Sequence, residues 1–512
     1  MSLVLKLLVF LIILYIYGTR TFGYWKKRGV KNDDPLPYFG NNLKQFIQKS
    51  SIAMIATEMY KKYPDEKIVG FFRSTAPELV IRDPELVKRI LITDFQHFHD
   101  RGFIKNKKSI EPLMKNLFFA DGDLWKLIRK GFSQSFSTGK IKAMFSIITD
   151  RAENLQLQAA EMAKLEYYDM RELIARYTTD FIGVCGFGIN IDSLNDENSE
   201  FRKLGNRIFH RSFRDALVAT LKYMFPNMFK NFNFLSEELE IVMVDLVKKI
   251  LKSRNYMPSG KHDFIDLMLE LKRKGNLITE SLEFKDENGL PKQVELELDD
   301  IILTAQCFVF FGAGFETSST SASYTLHQLA YNMEYQKKVQ AEIDRILPKY
   351  NNKLTYEAIN ELNTLEKAFY EAMRIFPPVA FLIRKCTSPT YTFPEINLTI
   401  DEGVVVIIPV QALHNDEKYF HEPEKFNPDR FDIANEFKTK MFLPFGDGPR
   451  ACVAARLGKV LAMTGIAAIL QKFTVEPCAK SRLHPIPQPM AIVSESFIGG
   501  LPLKLTKRTT YL

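Results

Sequence analysis

The stretch that most restricts how this chain can fold is Pro444-Phe445-Gly446-Asp447-Gly448-Pro449-Arg450-Ala451-Cys452-Val453-Ala454-Ala455-Arg456. Two glycines and a proline forbid regular structure ahead of Cys452, whereas Ala451 to Leu470 carries a strong helical pattern. The cysteine therefore stands where a rigid loop runs into a helix. Backbone N–H groups at such a junction can point at the sulfur, and the positive end of the helix favours negative charge there.

Cys185, Cys307, Cys386 and Cys478 bring the cysteines to five. An odd number, widely spaced and without a C-x-x-C pair, argues against a disulfide framework and a structural zinc site, and for a reducing compartment. A lone cysteine is most often buried filler, and nothing around Cys185 or Cys307 argues otherwise. Cys452 is set apart by its neighbours. A thiolate held by backbone donors suits the axial position on a haem iron, where its electron donation favours O–O cleavage.

At the amino end, Leu3 to Tyr17 is apolar apart from Lys6. The run is slightly short for a bilayer span, but Lys6 can snorkel and Gly18-Thr19 can extend it. No small-x-small cleavage site follows, and the basic cluster Arg20, Lys26, Lys27, Arg28 lies downstream. A retained anchor is therefore expected rather than a cleaved signal peptide, with everything after residue 20 in the cytosol. Residues 1–20 are read as the anchor and 21–42 as a basic, Pro-rich elbow stiffened by Pro35 and Pro37. A second apolar patch, Tyr223-Met224-Phe225-Pro226-Asn227-Met228-Phe229, reads as either core or a loop dipping into lipid.

Residues 43–512 show no repeat, low-complexity block or flexible linker and are read as one body. Helical periodicity dominates 120–375, and strand-like runs gather near 68–82 and beyond 380. The expected fold is mainly α with a small β region, in a single large domain whose core draws on 41 Phe residues. The net charge of +8 is mild, and the basic residues form no basic-aromatic array, which sets nucleic acid aside. An acidic protein partner or an anionic membrane surface fits better.

With these residues in view, the chain resembles the cytochrome P-450 family. From Phe445 onward it matches the haem-binding signature F-x-x-G-x-R-x-C-x-G at every fixed place but the last, where Ala454 replaces glycine and adds one methyl near the porphyrin. Three further signatures follow the family's order. They are Trp125-Lys126-Leu127-Ile128-Arg129, Ala313-Gly314-Phe315-Glu316-Thr317, and Glu371-Ala372-Met373-Arg374 with Pro428-Asp429-Arg430-Phe431. The similarity runs nearly end to end and looks closest to insect microsomal detoxifying members related to vertebrate drug-metabolising forms.

The resemblance implies haem b with Cys452 as its axial thiolate and Phe445 beside it. Trp125, Arg129, Arg384 and Arg450 would reach the two propionates, which need such donors inside a protein. Gly312, Ala313 and Gly314 would open a groove beside the iron, where Thr317 donates a hydrogen bond and Glu316 relays protons. Glu371, Arg374 and Arg430 would form a structural triad rather than a catalytic one. The substrate cavity would be lined by Phe308, Phe311, Ala313, Val379, Phe381 and part of 103–119.

The reaction implied is NADPH-driven insertion of one oxygen atom from O2 into hydrophobic small molecules, xenobiotics such as plant toxins or insecticides. It would take place at the endoplasmic reticulum membrane, with the catalytic domain on the cytosolic face. The sequence contains no P-loop, no H-E-x-x-H and no G-x-G-x-x-G after a strand, so it shows no flavin or nicotinamide site of its own. NADPH–cytochrome P-450 reductase is the expected partner, with cytochrome b5 as a second donor. Lys126, Lys130, Lys140, Lys142, Lys438, Lys440 and Arg456 would give it a basic docking face. Two rivals stand beside this reading: a haem-thiolate isomerase or dehydratase acting on peroxides, and a non-enzymatic haem or ligand carrier. The intact Glu316-Thr317 pair speaks against the first, and product formation with a reductase would exclude the second.

Overall fold

The computed structural model describes residues 3–104, 110–196, 200–209, 213–225, 228–432, 441–491 and 493–509. The helices that place the site are α1 Leu3–Thr19, α2 Ile52–Lys62, α3 Gly122–Phe132, α4 Thr138–Met162, α5 Met170–Phe187, α6 Glu237–Ser253, α7 Phe264–Arg273, α8 Asp300–Tyr331, α9 Met333–Ile346, α10 Asn363–Ile375 and α11 Ala455–Lys472. The strands are β1 Ile68–Arg73, β2 Ala76–Ile81, β3 Tyr168–Asp169, β4 Leu277–Lys285, β5 Pro291–Leu296, β6 Leu382–Lys385, β7 Thr390–Phe393, β8 Leu398–Asp401, β9 Val405–Ile408, β10 Phe473–Pro477 and β11 Pro502–Lys507.

Helix α8 begins where the Asp299 carboxylate accepts the Ile302 N–H at 2.7 Å, a side-chain N-cap. Its 32 residues are apolar on nearly every side, as a helix surrounded by other helices must be. By length and composition α8 could cross a membrane, yet most of it is buried between α5 and α11 at the centre of the body. Helices α4, α9 and α10 complete that core. Asp263 caps α7 through the Asp266 N–H at 2.9 Å. The two carboxylates also grip Arg254, at 2.6 and 2.5 Å, and tie α7 to the segment after α6. Helix α10 stops just before Pro377-Pro378, where a pre-proline residue disfavours helix.

The main sheet has the order β1-β2-β9-β6, with β2 and β9 parallel and the other pairs antiparallel. Strands β10, β11 and β3 form a second sheet, and β7–β8 a hairpin. These strands fall where the apolar runs place them, apart from the two-residue β3. The β4–β5 hairpin does not: it lies inside the stretch read as helical. Its strands are largely exposed and polar, and its reversal uses Gly289 at φ +79° while the Asp286 N–H donates to Leu290 O at 2.8 Å.

Helix α1 is 17 residues long with exposed apolar side chains, about 26 Å at 1.5 Å per residue. The elbow, residues 21–42, packs against the body. Trp25 is fully buried and donates its indole N–H to Phe71 O at 3.0 Å. Asn41 accepts the Phe72 N–H at 2.8 Å. Tyr38 folds back on the end of α1, its hydroxyl donating to Leu14 O at 2.6 Å.

Candidate active site

Gly446 and Gly448 hold φ of +72° and +70°. A Cβ on Gly448 would lie 1.9 Å from Leu91 O, so no other residue fits there. The Cys452 N–H is drawn back to Phe445 O at 2.8 Å, and the Ala451 N–H to Gly448 O at 3.0 Å. These bonds keep Ala451 to Val453 out of the helical ladder, which opens with the Gly458 N–H donating to Ala454 O at 2.8 Å. Helix α11 therefore begins at Ala455, four residues later than its pattern suggests. Cys452 is exposed, whereas Cys185, Cys307 and Cys386 are buried. Desolvation nevertheless raises its thiol, while the Ala454 N–H and the Arg129 and Arg101 charges pull it back down. Exposure and desolvation together describe a side chain opening on a cleft inside the molecule.

Four guanidiniums gather around this loop. Arg450, stacked 4.2 Å over Trp125, donates to His99 O at 2.5 Å, to Ala120 O at 3.1 Å and to Asp121 at 3.2 Å. Arg129 donates to Ala451 O at 2.8 Å and braces the loop. Arg101 donates to Phe118 O at 2.7 Å. Arg384 is buried, donates Nη1 to Ile383 O at 2.8 Å, and leaves its Nε–H without a partner. Desolvation lowers all four, Arg101 to about 10 and Arg450 to about 9. Arg384 falls furthest, because Arg101 and Arg450 also repel it and Asp121 compensates only in part.

Ala313 is exposed and Gly314 and Thr317 are half-buried within the otherwise buried α8, so this arc of the helix also faces a cleft. The Thr317 hydroxyl donates to Ala313 O at 2.6 Å. A Cβ on Gly458 of α11 would stand 3.9 Å from the Ser318 hydroxyl of α8, an ordinary van der Waals distance. Glu316 leaves α8 on another side, buried and paired with Arg171 of α5. Phe311 is turned into the core, its ring 6.0, 4.9 and 6.5 Å from Phe187, Phe201 and Phe315, which leaves it no surface to offer a ligand. Phe308 is buried in the same core, and Phe381 packs beneath the main sheet. Val379 is half-buried. Phe103, Phe118 and Phe119 form a half-buried aromatic cluster with centroids 5.5, 5.6 and 4.9 Å apart.

Beside α10, Arg374 grips both oxygens of Glu371 at 2.8 Å, and Arg430 adds a bond at 3.3 Å. The remaining Arg374 donors reach His414 O at 2.9 Å and Pro423 O at 2.7 Å. Burial and the Arg374 charge push the neighbouring His414 down to about 3, which keeps it neutral.

The family model for cytochrome P450 matches residues 31–497. Cytochrome P450 6B7 of Helicoverpa armigera is 36% identical over 474 residues, 92% of this chain and 91% of that protein. Cytochrome P450 6B1 of Papilio polyxenes is 35% identical, covering 92% of each chain, and cytochrome P450 6k1 of Blattella germanica 33%, covering 97% and 95%. The chain belongs to the cytochrome P450 family. As a P450 it is a monooxygenase-type oxidoreductase of the haem-thiolate class, mainly α with a small β region. The residues present suit that group: a partnerless Arg384 Nε and four guanidiniums short of acids accommodate two carboxylates. Arg101 belongs to this cluster although no motif marks it; it lies in an irregular loop without periodicity.

Proposed function

We propose that this P450 uses electrons from NADPH, passed on by a separate flavoprotein reductase, to insert one oxygen atom from O2 into hydrophobic small molecules, xenobiotics among them. The observation that carries the reading is Cys452, a thiol opening on an internal cleft and flanked by cations that lack matching acids. Haem b would be held there by Cys452 as its thiolate ligand, with Arg384, Arg129, Arg101 and Trp125 available to its propionates and Phe445 beside the thiolate. Arg450, whose donors go to His99, Ala120 and Asp121, shapes that pocket. When bound, the group supplies reductive activation of O2.

The chain's own residues orient and protonate. Thr317 Oγ1, on the open arc of α8 beside Ala313, holds a water or a proton there when it turns from Ala313 O. Glu316, buried beside Arg171 on another side of α8, would relay protons from solvent toward Thr317. Ala313, Val379, Phe103, Phe118 and Phe119 offer apolar walls that favour bulky, greasy substrates. Residues 1–20 serve as the anchor. Met228 is exposed in the second apolar patch and Phe232 just beyond it, which supports attachment to the endoplasmic reticulum membrane from the cytosolic side. Pro226 and Asn227 of that patch lie outside the described residues.

On the docking face, Lys140 and Lys142 pair with Glu270 and Glu357, Lys130 donates to Ile278 O, and Arg456 to Thr138. Lys438 and Lys440 lie outside the described residues. Exposed ion pairs contribute little, about 0–1 kcal/mol, so an acidic reductase or cytochrome b5 can exchange for them.

Cys452→Ser tests the reading. With reductase and NADPH the variant should form no product, and its reduced carbonyl complex should lose the red-shifted band of thiolate-ligated haem. Cys185→Ser should keep both. A Cys452→Ser protein that retained band and product would overturn the ligand assignment, and turnover without NADPH would point to the isomerase or dehydratase instead.

A further inference from the structure

We propose that the β4–β5 hairpin is a positioning element for α3, acting through Asp123 and the bulge at Ser281–Phe284. The proposal rests on the reading of α3 as a haem-propionate support and adds what holds that helix in place. Strands β4 and β5 pair regularly from Leu277↔Leu296 to Glu280↔Gln293, and the register then slips before Lys285↔Pro291. A bulge re-aims side chains, and here it turns the strand toward the start of α3. Ser281 Oγ donates to Asp123 Oδ2 at 2.6 Å and the Leu282 N–H to Asp123 Oδ1 at 2.5 Å. In return Glu283 Oε2 accepts the Asp123 N–H at 3.2 Å. Ser281 Oγ also accepts the Glu283 and Phe284 N–H groups at 3.0 and 2.8 Å, which fixes the bulge itself.

Two glycines allow the contact. Gly122 has φ +58°, and a Cβ there would lie 2.3 Å from Glu283 Oε2. A Cβ on Gly131 would lie 2.9 Å from Leu277 Cδ2. Near that second point Lys130 Nζ donates to Ile278 O at 2.9 Å. The hairpin thus grips both ends of α3, with Trp125 and Arg129 between the grips. A two-stranded hairpin is marginal by itself. This one exposes Ile278, Phe284 and Leu290, so its order comes from α3 and is returned to α3.

The contact lies next to the guanidinium cluster. Two residues before Asp123, Asp121 accepts the Arg101 and Gly102 N–H groups at 2.7 and 3.0 Å and pairs with Arg450. Arg129 reaches Ala451 O at 2.8 Å, a bond that an α3 shift of about 1 Å would break. Asp123 and Ser281 touch neither that bond nor the cleft; they set where α3 stands.

The test uses full-length, haem-loaded protein and the rate of haem transfer to excess apomyoglobin. Asp123→Asn and Ser281→Ala should each speed haem loss about tenfold, as expected for losing a charge-assisted bond. Ser281→Thr, which keeps the hydroxyl, should restore the wild-type rate, and Leu290→Ser at the exposed end of the hairpin should leave it unchanged. Because the hairpin acts through Arg129, Asp123→Asn added to Arg129→Gln should bring no further acceleration. Additive effects, or an unchanged rate in both single variants, overturn the proposal. A wild-type protein without haem, or an Arg129→Gln protein that holds haem normally, sinks the propionate reading itself, so the two failures are told apart.

Discussion

Two groups of buried and half-buried arginines face opposite fates in this molecule. Arg374 and Arg430 meet Glu371, and the other Arg374 donors end on backbone carbonyls, so that group is closed. Arg101, Arg129, Arg384 and Arg450 also reach backbone carbonyls, but among the described residues only Arg450 pairs with an acid, Asp121, and desolvation pulls all four down. A closed group fastens elements together: Glu371 also accepts the Asn427 N–H at 3.0 Å and so ties α10 to the chain ahead of the Cys452 loop. An open group is built for an anion that the polypeptide does not provide. The same residue type serves structure in one place and, on the proposed reading, an anionic ligand in the other, and the balance of acids distinguishes them.

Removing the acid from the closed group should have the largest effect. Glu371→Ala strands two guanidiniums where Arg374 and Glu371 have no exposure at all. Breaking a buried pair this way costs about 3–5 kcal/mol, a large part of a domain's margin. The variant should accumulate poorly and unfold at much lower denaturant. Wild-type stability in that variant would erase the contrast between the two groups.

Removing a cation from the open group should act with the opposite sign on the haem-free protein. Arg384→Gln relieves repulsion with Arg101 and Arg450, so denaturant unfolding of the haem-free chain should be unchanged or harder. Haem affinity should fall about 10- to 100-fold, the equivalent of one lost charged hydrogen bond of about 1.5–3 kcal/mol. If the haem-free variant instead unfolded like Glu371→Ala, Arg384 would be a structural cation and the cluster would not be open.

The legible parts of the molecule were those whose reasons are local. Gly446 and Gly448 announce a loop because their backbone angles exclude other residues, and Glu371 and Arg374 meet because positions three apart share a helix face. The end of α10 and the strands near 68–82 follow from proline and from short apolar runs. The rest depended on partners distant in sequence. Helix α8 is apolar all round, so it has no stripe to tell which face meets a cleft, and Phe311 could not be sorted from Ala313 by pattern. Trp25 is buried only because β1 lies against it. Ser281 and Asp123 stand 158 residues apart and carry no motif. Helix α11 started late because Cys452 gives its N–H to Phe445.

Glu495 offers a third, milder outcome for a buried charge and the smallest predicted effect. Its side chain is buried, the Ser51 hydroxyl alone supports it among the described residues, and its N–H donates to Pro378 O at 2.8 Å beside Val379. Where Glu371 has two arginines, Glu495 has none among the described residues, and desolvation pushes it from its ordinary 4.5 up to about 7. An acid raised on folding holds its proton more tightly in the folded state. Its contribution to stability is therefore complete below pH 4.5 and is lost as pH rises through about 7. Glu495→Gln keeps a neutral hydrogen-bonding side chain and removes the titration. The wild type should lose about 1–2 kcal/mol more than the variant between pH 5 and pH 8, read from urea unfolding at the two values; local relaxation keeps this below the direct conversion of about 1.4 kcal/mol per unit. Parallel losses in the two proteins would mean that Glu495 finds a cation in solution, which would move it into the closed class beside Glu371.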